Sequence, residues 1–168
     1  MMDKPAVLGG KKTFEKDIPP VLPSFSHYTN QEFLNKIESI LKSNLVTNGK
    51  YVKELEEEIK NYIGANNAVL LSSCTSGLIL SLAALGLRNK EVILPSFTNI
   101  ATGNAAYWNN CKLVFADVDK ETFNISIEEI KNKISKNTAA ILAVNMYGNP
   151  CNLKELEKLA QEHNIKLI

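Results

Sequence analysis

The sequence predicts an α/β fold: a mainly parallel sheet with flanking helices. Short apolar runs alternate with helix-length segments from Ala68 to the end of the chain, and parallel neighbours need such helical crossovers because both faces of their sheet are buried. Size agrees, since 168 residues with 45% hydrophobic content are enough for one core, or for one piece of a larger one.

Residues 1–29 mix Gly, Lys and four prolines without periodicity and read as an N-terminal arm. From Asn30 onward, Phe33, Ile37, Ile40 and Leu41 recur at helical spacing. After the turn-like Thr47-Asn48-Gly49, the set Val52, Leu55, Ile59 and Tyr62 does so again. The carboxylates Glu54, Glu56, Glu57 and Glu58 fall on this second helix among lysines, which marks a solvated face more than an acid/base pair.

The alternation then runs in order. A strand is expected at 68–71, a helix at 75–85, a strand at 92–94 and a helix at 101–108. These are followed by a strand at 113–116, a helix at 127–134, a strand at 139–144, a helix at 153–160 and a strand opening at Ile165. Domain termini normally lie in exposed segments, whereas this chain stops inside a strand. Further residues are therefore expected to belong to the same fold.

Composition narrows the function. The net charge is +1 and the signs alternate along the chain, so no face is marked for nucleic acid or an anionic membrane. Arg88 is the single arginine among nineteen basic residues, which argues against clusters of bidentate anion forks. Cys74, Cys111 and Cys151 are widely spaced, and His27 and His163 have no triad or metal partner in the pattern, so neither a zinc site nor a disulfide framework is indicated. The start has no apolar stretch of signal-peptide length, and the cytosol is the expected compartment.

The strongest local signal is Ser72-Ser73-Cys74-Thr75-Ser76-Gly77, small and hydroxyl residues between an apolar run and a helix. The first turn of a helix has free N–H groups and the positive end of the dipole, so Thr75 and Ser76 can offer donors to a phosphate. It is neither a Walker A loop nor a dinucleotide turn. Plain capping by Ser73 or Thr75 explains the same pattern. The second signal is Leu94-Pro95-Ser96-Phe97-Thr98-Asn99-Ile100, at the carboxyl end of a strand, where open α/β sheets collect ligands. Its plainer reading is a connection with Thr98 as N-cap. Asn145-Met146-Tyr147-Gly148-Asn149-Pro150 opens onto the same edge and is by itself a turn. Cys74 has no neighbouring base and reads as a small residue beside the anion rather than a nucleophile.

Taken in order, the stretches LVTNGKYVKELEEEI, SSCTSGL, EVILPSFTNIAT, KLVFADVDKETFNI, KNTAAILAVNMYGNP and LKELEKLAQEHNIKLI resemble the DegT/StrS family of sugar aminotransferases. These are pyridoxal-phosphate (PLP) enzymes of the aspartate aminotransferase fold, fold type I. The resemblance covers residues 30–168 and implies the N-terminal part of the large domain. By position, Cys74, Thr75 and Ser76 match the turn that holds the cofactor phosphate, with Cys74 replacing the usual Gly or Ala. Asn99 falls where an aromatic ring commonly stacks on the pyridine. Asn145 stands where His is frequent, and Asn152 where Asp is frequent.

The resemblance further implies transfer of an amino group, typically from glutamate, to a nucleotide-linked keto-sugar by a homodimer. The chemistry needs a Schiff-base lysine and an acid paired with the pyridinium nitrogen. No lysine here, Lys166 included, matches the catalytic position, so this chain is expected to be catalytically silent. Two alternatives stand beside that expectation: a non-catalytic protein that binds a phosphate ligand or a partner, and a family member that uses histidine for sugar dehydration.

Overall fold

The structure is a computed structural model that describes residues 9–11 and 30–168. Apart from residues 9–11, the arm expected at 1–29 lies outside the described residues. The chain divides into two compact units, Met1–Ala68 and Val69–Ile168.

The first unit holds α1 (Gln31–Ser43) and α2 (Lys50–Ile63). Asn30 caps α1 by accepting from the Phe33 amide at 2.8 Å, and Asn44 ends it in the left-handed region. Gly64 ends α2 with φ +69°. Pairs at i,i+4, Glu32–Lys36 and Glu38–Lys42, run along the outer face of α1. On α2, Glu54 pairs with Lys50 and Glu57 with Lys60, the solvated face expected from the charge pattern.

The second unit is a three-layer sandwich. Its elements are α3 (Cys74–Ala84), β1 (Glu91–Pro95), α4 (Ile100–Trp108), β2 (Lys112–Ala116), α5 (Ile127–Lys133), β3 (Thr138–Ile141), α6 (Leu153–Glu162) and β4 (Lys166–Leu167). The four strands are parallel in the order β2-β1-β3-β4. Alternation along β1 sorts the core into two. Val92 and Leu94 meet Leu82, Ala105, Ala106 and Leu142 beneath α3 and α4. Ile93 meets Ile130, Ile141, Leu156 and Leu159 beneath α5 and α6. The chain therefore winds to one side of β1 over one face and returns to the other side over the opposite face. That reversal puts a topological switch point between β1 and β3.

Two expectations need correction. The apolar run at 68–71 is not a strand: the sheet's ladders do not include it, and Val69 and Leu71 are 74% and 45% exposed. An apolar run becomes a strand only where a neighbour pairs its backbone. Strand β3 is also shorter than 139–144, although the Leu142 and Ala143 amides still donate across the sheet to Ile93 and Ile168.

The amino edge of the sheet is locked by one carboxylate. The register sets Glu91 between Lys112 on β2 and Thr138 on β3. Its buried side chain accepts from Lys112 Nζ at 2.9 Å, Ser135 Oγ at 2.8 Å and Thr138 Oγ1 at 2.9 Å. The Lys112 ammonium first, and then the Ser135 hydroxyl, hold its carboxyl below the usual value against the opposing effect of burial.

Removing Glu91 strands two hydroxyls, so Glu91→Ala is expected to cost about 2–3 kcal/mol in urea unfolding. Lys112→Ala removes a mostly exposed partner and should cost under about 1 kcal/mol. A carboxylate whose folded value is depressed stabilises the fold above its unfolded value, near 4.3, and loses that contribution as pH falls through the folded value. Stability measured below about pH 4 should therefore fall less steeply in Glu91→Gln than in the unsubstituted chain.

Candidate functional site

The Ser72–Gly77 turn forms the start of α3. Ser73 is the N-cap, accepting from the Ser76 amide at 3.1 Å, with its hydroxyl 2.9 Å from Ser76 Oγ. Of the two capping residues considered, Ser73 is the one used. Capping accounts for one amide, while those of Cys74 and Thr75 lie in the first turn and have no intrahelical acceptor. No acidic side chain stands in that turn, nor in those of α2 and α4, whereas α1, α5 and α6 carry Glu32, Glu128 with Glu129, and Glu155 in theirs. Cys74 is exposed, and Thr75 and Ser76 are partly so. A Cβ built on Gly77 would meet only Leu71 Cδ1, at 3.5 Å, so the glycine leaves room that packing does not use.

The second turn begins α4, and here the cap differs from expectation. Asn99, not Thr98, is the N-cap, its Oδ1 accepting from the Ala101 amide at 2.9 Å. Thr98 Oγ1 instead lies 2.9 Å from Thr102 Oγ1, because a hydroxyl one residue earlier is turned back onto the helix. The two helices run the same way. At their carboxyl ends Asn89 N donates to Asn109 O at 3.1 Å and Cys111 Sγ donates to Leu87 O at 3.1 Å, while Asn109 Nδ2 reaches Ile79 O at 3.0 Å. Parallel neighbours must also begin together, so the amino ends of α3 and α4 share the carboxyl edge of the sheet.

The third turn, after β3, is held to the loop after β2. Asn124, 6% exposed, accepts from the Met146 amide at 3.0 Å and donates to Asn149 O at 3.1 Å; Asn149 Nδ2 donates back to Thr122 O at 3.3 Å. Asn145 Oδ1 accepts from the Cys151 amide at 2.9 Å, and Asn152 caps α6. The loop after β2 is itself tied by Asp119 Oδ1, which accepts from the amides of Glu121 and Thr122 and from Thr122 Oγ1. The Thr122 and Glu121 donors hold the Asp119 carboxyl below its usual range. Burial pushes the Cys111 and Cys151 thiols up, and each donates to a backbone carbonyl. Sequence reasoning missed Asp119 and Asn124; the available signal was the Asp-x-x-Thr spacing of an Asx turn followed by Asn.

The solved structures that share this fold are pyridoxal-phosphate-dependent enzymes, aminotransferases among them. The chain is similar to Escherichia coli GDP-4-keto-6-deoxy-D-mannose-3-dehydratase, solved with hydrated PLP bound. The TM-score is 0.72 at 33% identity, covering 80% of this chain and 36% of that one. Residues 27–168 match the DegT/DnrJ/EryC1/StrS aminotransferase family, and the chain belongs to it.

Among curated relatives, the E. coli dTDP-4-amino-4,6-dideoxy-D-glucose transaminase is 34% identical over 92% of this chain and 41% of its own length. The Campylobacter jejuni UDP-4-amino-4,6-dideoxy-N-acetyl-beta-L-altrosamine transaminase is 36% identical over 86% of this chain and 39% of its own. The chain thus spans about two fifths of the length of these relatives. Pyridoxal phosphate is the cofactor of this family, and the residues present fit its phosphate: two first-turn amides, two hydroxyls, no competing carboxylate and space over Gly77.

Asn124→Ala removes an acceptor and a donor that join two loops. It should accelerate hydrogen exchange at the Met146 amide and cost about 1–2 kcal/mol in unfolding. Asn124→Asp keeps the acceptor and should protect Met146 better than the alanine does.

Proposed function

We propose that these residues form the phosphate-holding part of a pyridoxal-phosphate enzyme that transfers an amino group, from glutamate, to the keto group of a nucleotide-linked sugar. The observation that carries this reading is the start of α3, an acid-free first turn with its donors turned to the ligand-collecting edge, in a chain whose relatives include two nucleotide-sugar transaminases. The amides of Cys74 and Thr75 and the hydroxyls of Thr75 and Ser76 hold the phosphate, and the small Cys74 side chain lets it approach. Asn99 would lie on the side of the pyridine ring. Its Oδ1 holds the helix start, so it offers an amide nitrogen rather than a stacking face. When bound, the cofactor supplies the electron sink for breaking bonds at the amine-bearing carbon.

The sequence matches the catalytic lysine at no position, so the 168 residues alone hold the cofactor by its phosphate and do not transaminate. The working enzyme is a cytosolic homodimer. Support for further protein over this unit comes from the exposed apolar face of α4 and β2, where Ile100, Tyr107 and Phe115 are 77%, 69% and 53% exposed. No helix among the described residues is long and apolar enough to cross a membrane. Dehydration is the second reading, favoured by the likeness to the E. coli dehydratase.

Equilibrium dialysis should show pyridoxal phosphate retained and pyridoxal not. Thr75→Val and Ser76→Ala should each weaken retention about tenfold, the worth of one hydrogen bond to a charged group. Borohydride reduction with peptide mapping should leave no stoichiometric adduct on any lysine. Equal retention of pyridoxal, or one stoichiometric adduct together with transamination, overturns this reading.

A further inference from the structure

Three aromatic residues stand at the carboxyl edge on three different connections: Phe97 after β1, Phe123 after β2 and Tyr147 after β3. Their ring centroids lie 5.8 Å (Phe97–Phe123), 6.4 Å (Phe97–Tyr147) and 6.4 Å (Phe123–Tyr147) apart. Neither core cluster includes them, and they are 44%, 45% and 80% exposed. The rings are tilted by 45° to 81°, so no two stack face to face, and Tyr147 keeps most of its surface open.

Burial does not explain these residues, and backbone comfort does not either. Phe123 has φ +59° and Tyr147 φ +53°, the left-handed region that bulky side chains avoid at a cost of about 1–2 kcal/mol each. The polar scaffold keeps them there. Asp119 ties the turn that carries Phe123, and Asn124 binds that turn to the Met146–Asn149 segment that carries Tyr147. Phe97 and Phe123 are only about half buried and Tyr147 is mostly exposed, so backbone strain held by buried polar bonds points to a ligand.

We propose that Phe97, Phe123 and Tyr147 are the stacking platform for the base of the nucleotide-linked substrate. This rests on the nucleotide-sugar reading above and adds where the base sits. The exposed Tyr147 ring, braced by two further rings, suits a flat heteroaromatic guest. Asp117 and Asp119, on the same connection ahead of Phe123, disfavour a phosphate at this spot, which leaves the base as the part that lands here. Stacking also tolerates any base. That matches a family whose relatives are named for dTDP-, UDP- and GDP-linked sugars.

The test is calorimetric titration of the full 168-residue chain with GDP, UDP, dTDP and inorganic pyrophosphate. The three nucleotides should bind within about threefold of one another, and pyrophosphate much more weakly. Tyr147→Asn should weaken all three about tenfold, the loss typical of one stacking residue, and Tyr147→Phe should restore them. Asparagine accepts the left-handed backbone, so this variant should melt no lower than the unsubstituted chain, unlike a residue kept for structure.

Nucleotides binding no better than pyrophosphate overturn the platform, as does Tyr147→Asn binding them undiminished. So does a change in self-association in this variant without a change in nucleotide affinity, which would make the rings a protein contact. Pyridoxal-phosphate retention should be unaltered in Tyr147→Asn. Its loss in every form of the chain, with nucleotide binding intact, would strike the cofactor reading and leave the platform standing.

Discussion

Strand β1 has a parallel neighbour on each side, and the rest of the second unit depends on that placement. A parallel strand flanked on both sides needs cover on both faces, so the helices divide, α3 and α4 over one face and α5 and α6 over the other. With the faces divided, the connections leaving β1 and β3 at their carboxyl ends diverge and open a crevice. Parallel packing of α3 with α4 then brings two helix starts to that same edge, where free amides and helix dipoles add their partial positive charge. Hydrogen-bond donors are gathered at one edge as a consequence of winding.

The opposite edge is built for holding rather than binding. Glu91 joins β1 to its neighbours through Lys112, Ser135 and Thr138, so all its strong donors are protein groups. At the carboxyl edge the polar bonds act differently. Asp119 and Asn124 restrain loops and leave the helix-start donors of Cys74 and Thr75 and most of the Tyr147 ring uncommitted. The two ends differ in where their hydrogen-bonding capacity goes, inward at Glu91 and outward at the α3 turn.

Much of this was legible in the sequence. Strands β1 to β4 and the six α-helices among the described residues follow from apolar period, and small hydroxyl residues mark the α3 turn. What failed has physical causes. The run at 68–71 has the composition of a strand, but pairing is a long-range property that composition does not encode. Thr98 and Asn99 are both good caps, and the choice between them is decided by one residue of helix phase. Phe97, Phe123 and Tyr147 are far apart in sequence, each within a polar turn, and only the parallel register of β1, β2 and β3 brings their connections together. Left-handed backbone at a phenylalanine or tyrosine leaves no sequence mark at all.

Those two strained residues show how the fold divides its work. An asparagine at either position would relieve the backbone, as Asn44, Asn48, Asn89, Asn110 and Asn164 do at other left-handed sites in this chain. Among the described residues the chain thus uses asparagine at five such turns and large aromatic rings at the two on the carboxyl edge. A turn that served only to reverse the chain would have no reason to differ from the others. The exceptions lie on the connections that follow β2 and β3, which the buried Asn124 joins, so the ring is what the position retains and the strain is what it tolerates. Rigid presentation lowers the ordering cost of gathering three side chains around a guest, and that return grows with each ring already in place.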